Sequence, residues 1–156
     1  MWDAESSSLG AHEQKLSVPF LPPIDAVTLN IVTPLRLQNQ GHRVPLDRLQ
    51  PRTLFAALLR RTSLLFELHT ALPRLADDAR RLTAVAASLV DERRLQWKDW
   101  TRFSSRQDQE MTLGGVIGEW TLSGDLQELL PWFWLGQWLH VGKNSTMGMG
   151  RYWLAW

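Results

Sequence analysis

The segment His140-Val141-Gly142-Lys143-Asn144-Ser145-Thr146-Met147-Gly148-Met149-Gly150-Arg151-Tyr152 combines the residue types that an anion site needs. Gly142, Gly148 and Gly150 permit positive φ and leave no side chain in the way of an approaching backbone, so that amides can turn toward one anion. Lys143 and Arg151 add positive charge, and the hydroxyls of Ser145 and Thr146 add donors. No Asp or Glu follows Glu128, so nothing acidic repels a phosphate there. A nucleotide-binding P-loop is excluded by spacing, because that motif needs Gly where Gln137 stands and Ser or Thr where Asn144 stands. Asn144-Ser145-Thr146 is formally a glycosylation triplet, but the polar start Met1 to Lys15 lacks a signal peptide, so the triplet is read as idle.

Among the histidines, His42 in Gln40-Gly41-His42-Arg43 is the candidate general base, expected in a loop among arginines. His140 falls near a helix C-terminus, where the helix dipole accounts for it. His69 belongs to a helix stripe and His12 to the leader, and neither is assigned a role. There is no cysteine and no Asp/Glu/His group with metal-ligand spacing, so neither a metal nor a cofactor is expected. Charge is segregated along the chain. Leu35 to Leu65 holds Arg36, Arg43, Arg48, Arg52, Arg60 and Arg61 against one acid, Asp47, whereas Gln107 to Gly142 holds five acids and no Lys or Arg. A chain with a net charge of only +1 can therefore present a basic face to an anion.

These residues need a scaffold, and 156 residues suffice for one well-buried core. Residues 1–25 are expected as a leader closed by Pro19-Phe20-Leu21-Pro22-Pro23, and residues 26–156 as the domain. Val27, Leu29 and Ile31 alternate with Thr28 and Asn30, which predicts a strand ended by Pro34. Pro51 opens a helix whose apolar face is Leu54, Phe55, Leu58, Leu59 and Leu65, limited by Pro73, and Leu75, Ala79, Leu82, Ala86 and Leu89 predict a second. Leu95 to Phe103 and Met111 to Leu122 predict a hairpin in which Gly114, Gly115 and Gly118 mark a bulge or a close backbone approach. Asp125 is expected to cap a helix running toward His140, with Pro131 early in it, and Tyr152 to Trp156 forms a last strand with one of Tyr152 and Trp153 in the core. The result is an α+β, ferredoxin-like (RRM-like) βαββαβ antiparallel sheet with helices on one face and one extra helix after the first.

The sequence resembles the CRISPR-associated repeat-RNA endoribonucleases of the Cas six family in their C-terminal ferredoxin-like domain. The resemblance rests on His140 to Leu154, on Trp97-Lys98-Asp99-Trp100 followed by Arg102-Phe103-Ser104-Ser105-Arg106-Gln107, on Met111 to Gly118, and on Thr33-Pro34-Leu35-Arg36-Leu37. It runs from about Val27 to the end and matches the second of the two such domains that family members pair. It implies metal-independent processing of precursor CRISPR RNA in antiviral defence, with RNA held by Gly142, Lys143, Ser145, Thr146, Gly148, Gly150 and Arg151 and the track extended by Arg36, Arg102 and Arg106. The alternative is a non-catalytic RNA-binding or assembly module. Nine Trp, several in Trp132-Phe133-Trp134-Leu135-Gly136-Gln137-Trp138, point to a protein partner as well: a homodimer, an N-terminal half or another Cas protein. The apolar run Leu129 to Leu139 is too short to span a bilayer, and a cytoplasmic location is expected.

Overall fold

The computed structural model describes residues 2–3, 8–9, 18–69, 76–99, 101–104 and 109–156. Strand β1 (Ala26–Leu35) shows the alternation its sequence dictates, with Val27, Leu29 and Ile31 buried and Thr28 and Asn30 only half-buried. Helix α1 (Pro51–His69) begins on a proline, whose missing N–H costs nothing at a helix start, and buries Leu54, Phe55, Leu58 and Leu59. Thr62 is also buried on this helix, with its hydroxyl satisfied by the Leu58 carbonyl at 3.0 Å. Next come α2 (Ala76–Ala87), β2 (Val90–Lys98), β3 (Gly115–Ser123), α3 (Leu130–Leu139) and β4 (Tyr152–Ala155).

The four strands form one antiparallel sheet in the order β4-β1-β3-β2, which is the ferredoxin-like arrangement with α2 added. Between this sheet and the helices lies one core, in which Trp120, Tyr152, Phe55 and Phe133 are fully buried. Each large apolar side chain so buried stabilises the fold by roughly 1.5–3 kcal/mol. The polar atoms carried inward are paired: the Trp120 indole donates to Asp91 at 2.8 Å, and the Tyr152 hydroxyl donates to the Phe133 carbonyl at 2.8 Å. Burial pushes the Tyr152 phenol pKa far up, so it remains a hydrogen-bond donor. Tyr152 is thus the core member of its pair, and Trp153 faces outward, 42% exposed.

Three expectations are corrected. Pro34 does not end β1, which runs on to Leu35 through an irregularity in its pairing with β3 between Ile31 and Leu35. Proline is tolerated at such a bulge because no ladder N–H is required there. The first strand of the hairpin starts earlier than expected, at Val90, although Asp91, Glu92, Arg93 and Arg94 give it no apolar face. It lies at the sheet edge, where charged side chains are common. Asp125 does not cap α3, whose N-cap is Leu129 without a side-chain bond, and Pro131 sits in the first helical turn. The hairpin glycines do mark a close approach: a Cβ on Gly118 would collide with the Arg94 carbonyl, and one on Gly115 would lie 2.7 Å from the Leu35 backbone.

Three small pairings complete the description: Trp2–Asp3 with Ser8–Leu9, Gln38–Asn39 with His42–Arg43, and Thr101–Ser104 with Gln109–Thr112, which extends the β2/β3 hairpin outward. Pro73, expected to limit α1, lies outside the described residues. Among the described residues no helix is long and apolar enough to cross a membrane.

Candidate nucleic-acid interface

The glycine-rich loop between α3 and β4 is tied to β1 by a set of specific bonds. The Lys143 amide donates to the Arg36 carbonyl at 2.9 Å, the Gly150 amide to the Pro34 carbonyl at 3.1 Å, and the Val141 amide to the Gly150 carbonyl at 3.1 Å. Thr33 contributes twice, donating from its hydroxyl to the Gly148 carbonyl and accepting from the Arg151 amide, both at 2.8 Å. Two of the glycines are required by this packing. A Cβ on Gly142 (φ 92°) would lie 2.6 Å from the Arg36 carbonyl oxygen, and one on Gly150 (φ 71°) would collide with the Val141 carbonyl. Gly148 (φ 83°) faces open space. The Gly148 amide is spent on Ser145 within the loop, the Gly150 amide on Pro34 of β1 and the Met147 amide on Asn144, so the donors of this segment left for a ligand are the Lys143 ammonium and the Ser145 and Thr146 hydroxyls.

Beside the loop, the Gln38–Asn39/His42–Arg43 pair turns through Gln40 (φ 49°) and Gly41 (φ 82°), the two positive-φ positions of a tight type I′ turn. Loop, turn and α1 enclose a groove of about 400 Å³, lined among others by Gln38, Gln40, Arg60, Arg61, Lys143 and Ser145. It continues along α1 into a second hollow lined by Gln38, Gln50, Arg52 and Arg60 and a third, between α1 and α2, lined by Arg52, Arg60 and Arg80. Arg52, Ala56 and Arg60 recur every four residues and so share one face of α1.

The arginines of the molecule divide by location. Arg81, Arg93 and Arg94 are paired with carboxylates. Among the described residues no carboxylate lies within ion-pair distance of Arg43, Arg48, Arg52, Arg60, Arg80 or Lys143. Unpaired cations around one continuous depression form an anion-attracting surface. The uncovered face of the sheet is different. It carries Thr28 bonded to Thr121 at 2.9 Å, with Glu92, Arg94 and Glu119 beside them, and its exposed aromatic, Trp153, stands on the edge strand β4 opposite Asn30.

His42 is exposed and lines a further hollow of about 550 Å³ with Arg43, Arg48 and Gln50. Its Nδ1 lies 3.1 Å from the Gln40 carbonyl, which can only accept, so Nδ1 carries the proton and the Nε2 lone pair is left for a substrate. The neighbouring Arg43 guanidinium stacks 4.7 Å from the centre of Trp97. His140, at the C-terminus of α3, is half-buried, and burial together with the Arg151 and Arg61 charges lowers its pKa. Arg36 is half-buried with its carbonyl holding the loop, Arg102 lies on the distal strand Thr101–Ser104, and Arg106 lies outside the described residues. Sequence reasoning placed Arg60 and Arg61 in the basic segment Leu35 to Leu65 but gave Gln38 and Gln40 no role and did not bring the four together in one groove. The four-residue repeat of Arg52, Ala56 and Arg60 is the signal that marks the α1 face.

Among solved structures, the chain is similar to Thermus thermophilus Cas6 (TTHB231), with a TM-score of 0.64 and 20% identity over 86% of this chain and 55% of that one. A Cas6 (TTHB231) product complex gives a TM-score of 0.62 at 20% identity over 86% of this chain and 52% of that one. A partial Cas6-RT-Cas1–Cas2 complex gives 0.59 at 19% identity over 84% of this chain and 22% of that one. These likenesses establish a shared fold, and the chain spans about half the length of the Cas6 structures it matches. No curated protein matches the sequence. The family profile of the CRISPR-associated endoribonuclease Cas6 matches residues 29–152, most of the sequence, and this chain therefore belongs to the Cas6 family.

Proposed function

We propose that this chain grips CRISPR repeat RNA as the C-terminal part of a metal-independent endoribonuclease. The observation that carries the reading is the groove in which Lys143, Arg60 and Arg61 meet from segments some 80 residues apart, with no carboxylate partner among the described residues for Lys143 or Arg60. Phosphate contacts fix the register of a nucleic acid, and Gln38, Gln40 and Ser145 on the same wall add neutral hydrogen bonds to sugar or base edges. Gly142, Gly148, Gly150, Thr146 and Arg151 complete the loop side of the grip, and Arg36, Arg102 and Arg106 extend its track.

In the reaction, a base removes the proton of a ribose 2′-hydroxyl, its oxygen attacks the adjacent phosphorus, and the 5′-oxygen leaves with a proton, giving a 2′,3′-cyclic phosphate. His42 is the base candidate, through Nε2, and Arg43 and Arg48 in the same hollow stabilise the developing phosphorane charge. Membership of the CRISPR-associated endoribonuclease family supports RNA cleavage as the activity of the whole protein. The test is purified protein with repeat RNA in EDTA, the product ends assayed for cyclic phosphate. Cleavage that persists in EDTA and stops with a 2′-deoxy substitution at the cut site supports the mechanism, and a strict Mg²⁺ requirement rejects it.

A second reading is favoured by the exposure of His42, which follows a tight turn on a two-residue strand. In it the chain is a binding or assembly module whose catalytic groups come from an N-terminal half, another Cas protein or a second copy. Tight binding without turnover, restored to cleavage by adding such a partner, identifies this case.

A further inference from the structure

Trp97 is the outermost member of a row that crosses three strands. Leu35 of β1 pairs with Val116 of β3, and Val116 pairs with Trp97 of β2, so the three side chains share one face of the sheet. Leu35 and Val116 are buried in the core, whereas Trp97 stands half-buried on the edge strand. Its indole is fixed from two directions. The ring N–H donates to Asp99 Oδ1 at 2.6 Å, and Gly114 makes room for the pair: a Cβ there would lie 2.7 Å from the Asp99 carboxylate and 3.0 Å from the indole. Arg43, from the turn beyond β1, covers this ring with its guanidinium carbon 4.7 Å from the centre. Arg43 directly follows His42, and both line the hollow that also holds Arg48 and Gln50.

We propose that Trp97, oriented by Asp99, is a positioning residue for Arg43 and holds its guanidinium ready for a phosphate of the bound RNA. This rests on the RNA-binding reading. Arg43 stands on a two-residue strand and is exposed, where a long side chain without a partner samples many rotamers. The ring removes that freedom without consuming a hydrogen bond. A guanidinium over an aromatic face keeps its N–H donors, which lie in its own plane, for an anion. A carboxylate partner would hold the side chain but cancel its charge, and among the described residues none lies within ion-pair distance of Arg43. Asp99 is engaged by the indole instead, so it orients the ring and leaves the arginine free. The same contact ties the strand that carries His42 to β2.

The experiment is a double-mutant cycle on repeat-RNA affinity, measured against salt for wild type, Arg43→Gln, Trp97→Leu and the double variant. Arg43→Gln should lower the slope of log affinity against log salt by about 1. Trp97→Leu removes no charge, yet it should weaken binding by roughly two- to fivefold, the strength of an exposed cation–π contact, and lower the salt slope in the same direction. In the Arg43→Gln background the same substitution should change nothing, and Trp97→Phe, which keeps a ring face, should recover most of what Trp97→Leu loses. A tryptophan that only fills the edge of the core leaves the salt slope unaltered and acts equally in both backgrounds. That result overturns the positioning role while leaving RNA binding standing. If Trp97→Leu does not fold, the wild-type protein decides: the ring should shift the Arg43 Hε NMR resonance upfield both with and without RNA, and a resonance at the free-arginine position in either state overturns the role. Absence of RNA affinity in the wild type overturns the RNA reading and the positioning role with it.

Discussion

The Thr33 hydroxyl donates to the Gly148 carbonyl at 2.8 Å across 115 residues of sequence, and the same oxygen accepts from the Arg151 amide. One side chain on β1 thus closes both ends of the last turn of the loop. Thr33→Val keeps the shape and removes both bonds, each worth roughly 0.5–1.5 kcal/mol. Urea denaturation should show a loss of about 1–3 kcal/mol for Thr33→Val and a much smaller one for Thr33→Ser. Equal losses for the two variants would show that the hydroxyl carries no weight.

The loop glycines should separate into two classes. Gly150→Ala forces a side chain into the Val141 carbonyl and should lower Tm sharply. Gly148→Ala meets no atom within 4 Å and should cost only the positive-φ penalty of about 1–2 kcal/mol. Any larger loss of RNA affinity in Gly148→Ala then reports RNA passing close to the backbone there, which a folded-state titration with RNA can measure.

Binding should weaken steeply with salt, since each neutralised phosphate releases counterions. Arg60→Ala and Lys143→Ala should each reduce the slope of log affinity against log salt by about 1 and should do so for every RNA sequence. Arg94→Ala, whose guanidinium is paired with Glu92 at 3.2 Å, should leave the slope unchanged. A uniform effect of all three variants would argue against a localised groove.

Gly136 lies in the middle of α3, where alanine ordinarily stabilises by about 1 kcal/mol. Here the sign should reverse. An added Cβ would collide with the buried Tyr152 hydroxyl and lie 2.8 Å from Leu58, and Tyr152 is held by its bond to Phe133. Thermal unfolding of Gly136→Ala should show destabilisation, partly relieved in the double variant with Tyr152→Phe.

The lowered His140 pKa also has a stability signature. The unfolded chain binds that proton at the ordinary imidazole pKa and the folded chain only at lower pH, so the unfolded state gains protons first as pH falls. The penalty is absent above the ordinary imidazole range and develops as pH drops through it. His140→Gly should lessen this acid-side loss in a pH series of denaturation midpoints.

Much of the scaffold is written in local pattern. Val27, Leu29 and Ile31 alternate, and Leu54, Phe55, Leu58 and Leu59 recur on one helix face, so burial follows from periodicity alone. Where local pattern and tertiary position diverge, the pattern misleads. Asp91 to Arg94 have no apolar face because β2 is an edge strand, and Gln40 is an unusual residue for a tight turn, so its position next to Gly41 gives a weak signal. The glycine-rich loop is conspicuous, but the groove it completes is not. Arg60, Arg61 and Lys143 meet only after the chain has folded, and no spacing encodes that meeting.

The attachment of the loop to β1 makes folding and recognition one equilibrium. Pro34 and Arg36 hold the loop only when β1 is already paired in the sheet, so a chain with the sheet open has no grip to offer. A ligand that binds there selects the globally folded state and adds RT ln(1 + [L]/Kd) to its stability, about 2.7 kcal/mol at a hundredfold excess over Kd. Melting temperature in the presence of candidate RNAs then becomes a ranking of affinities, readable without label or turnover.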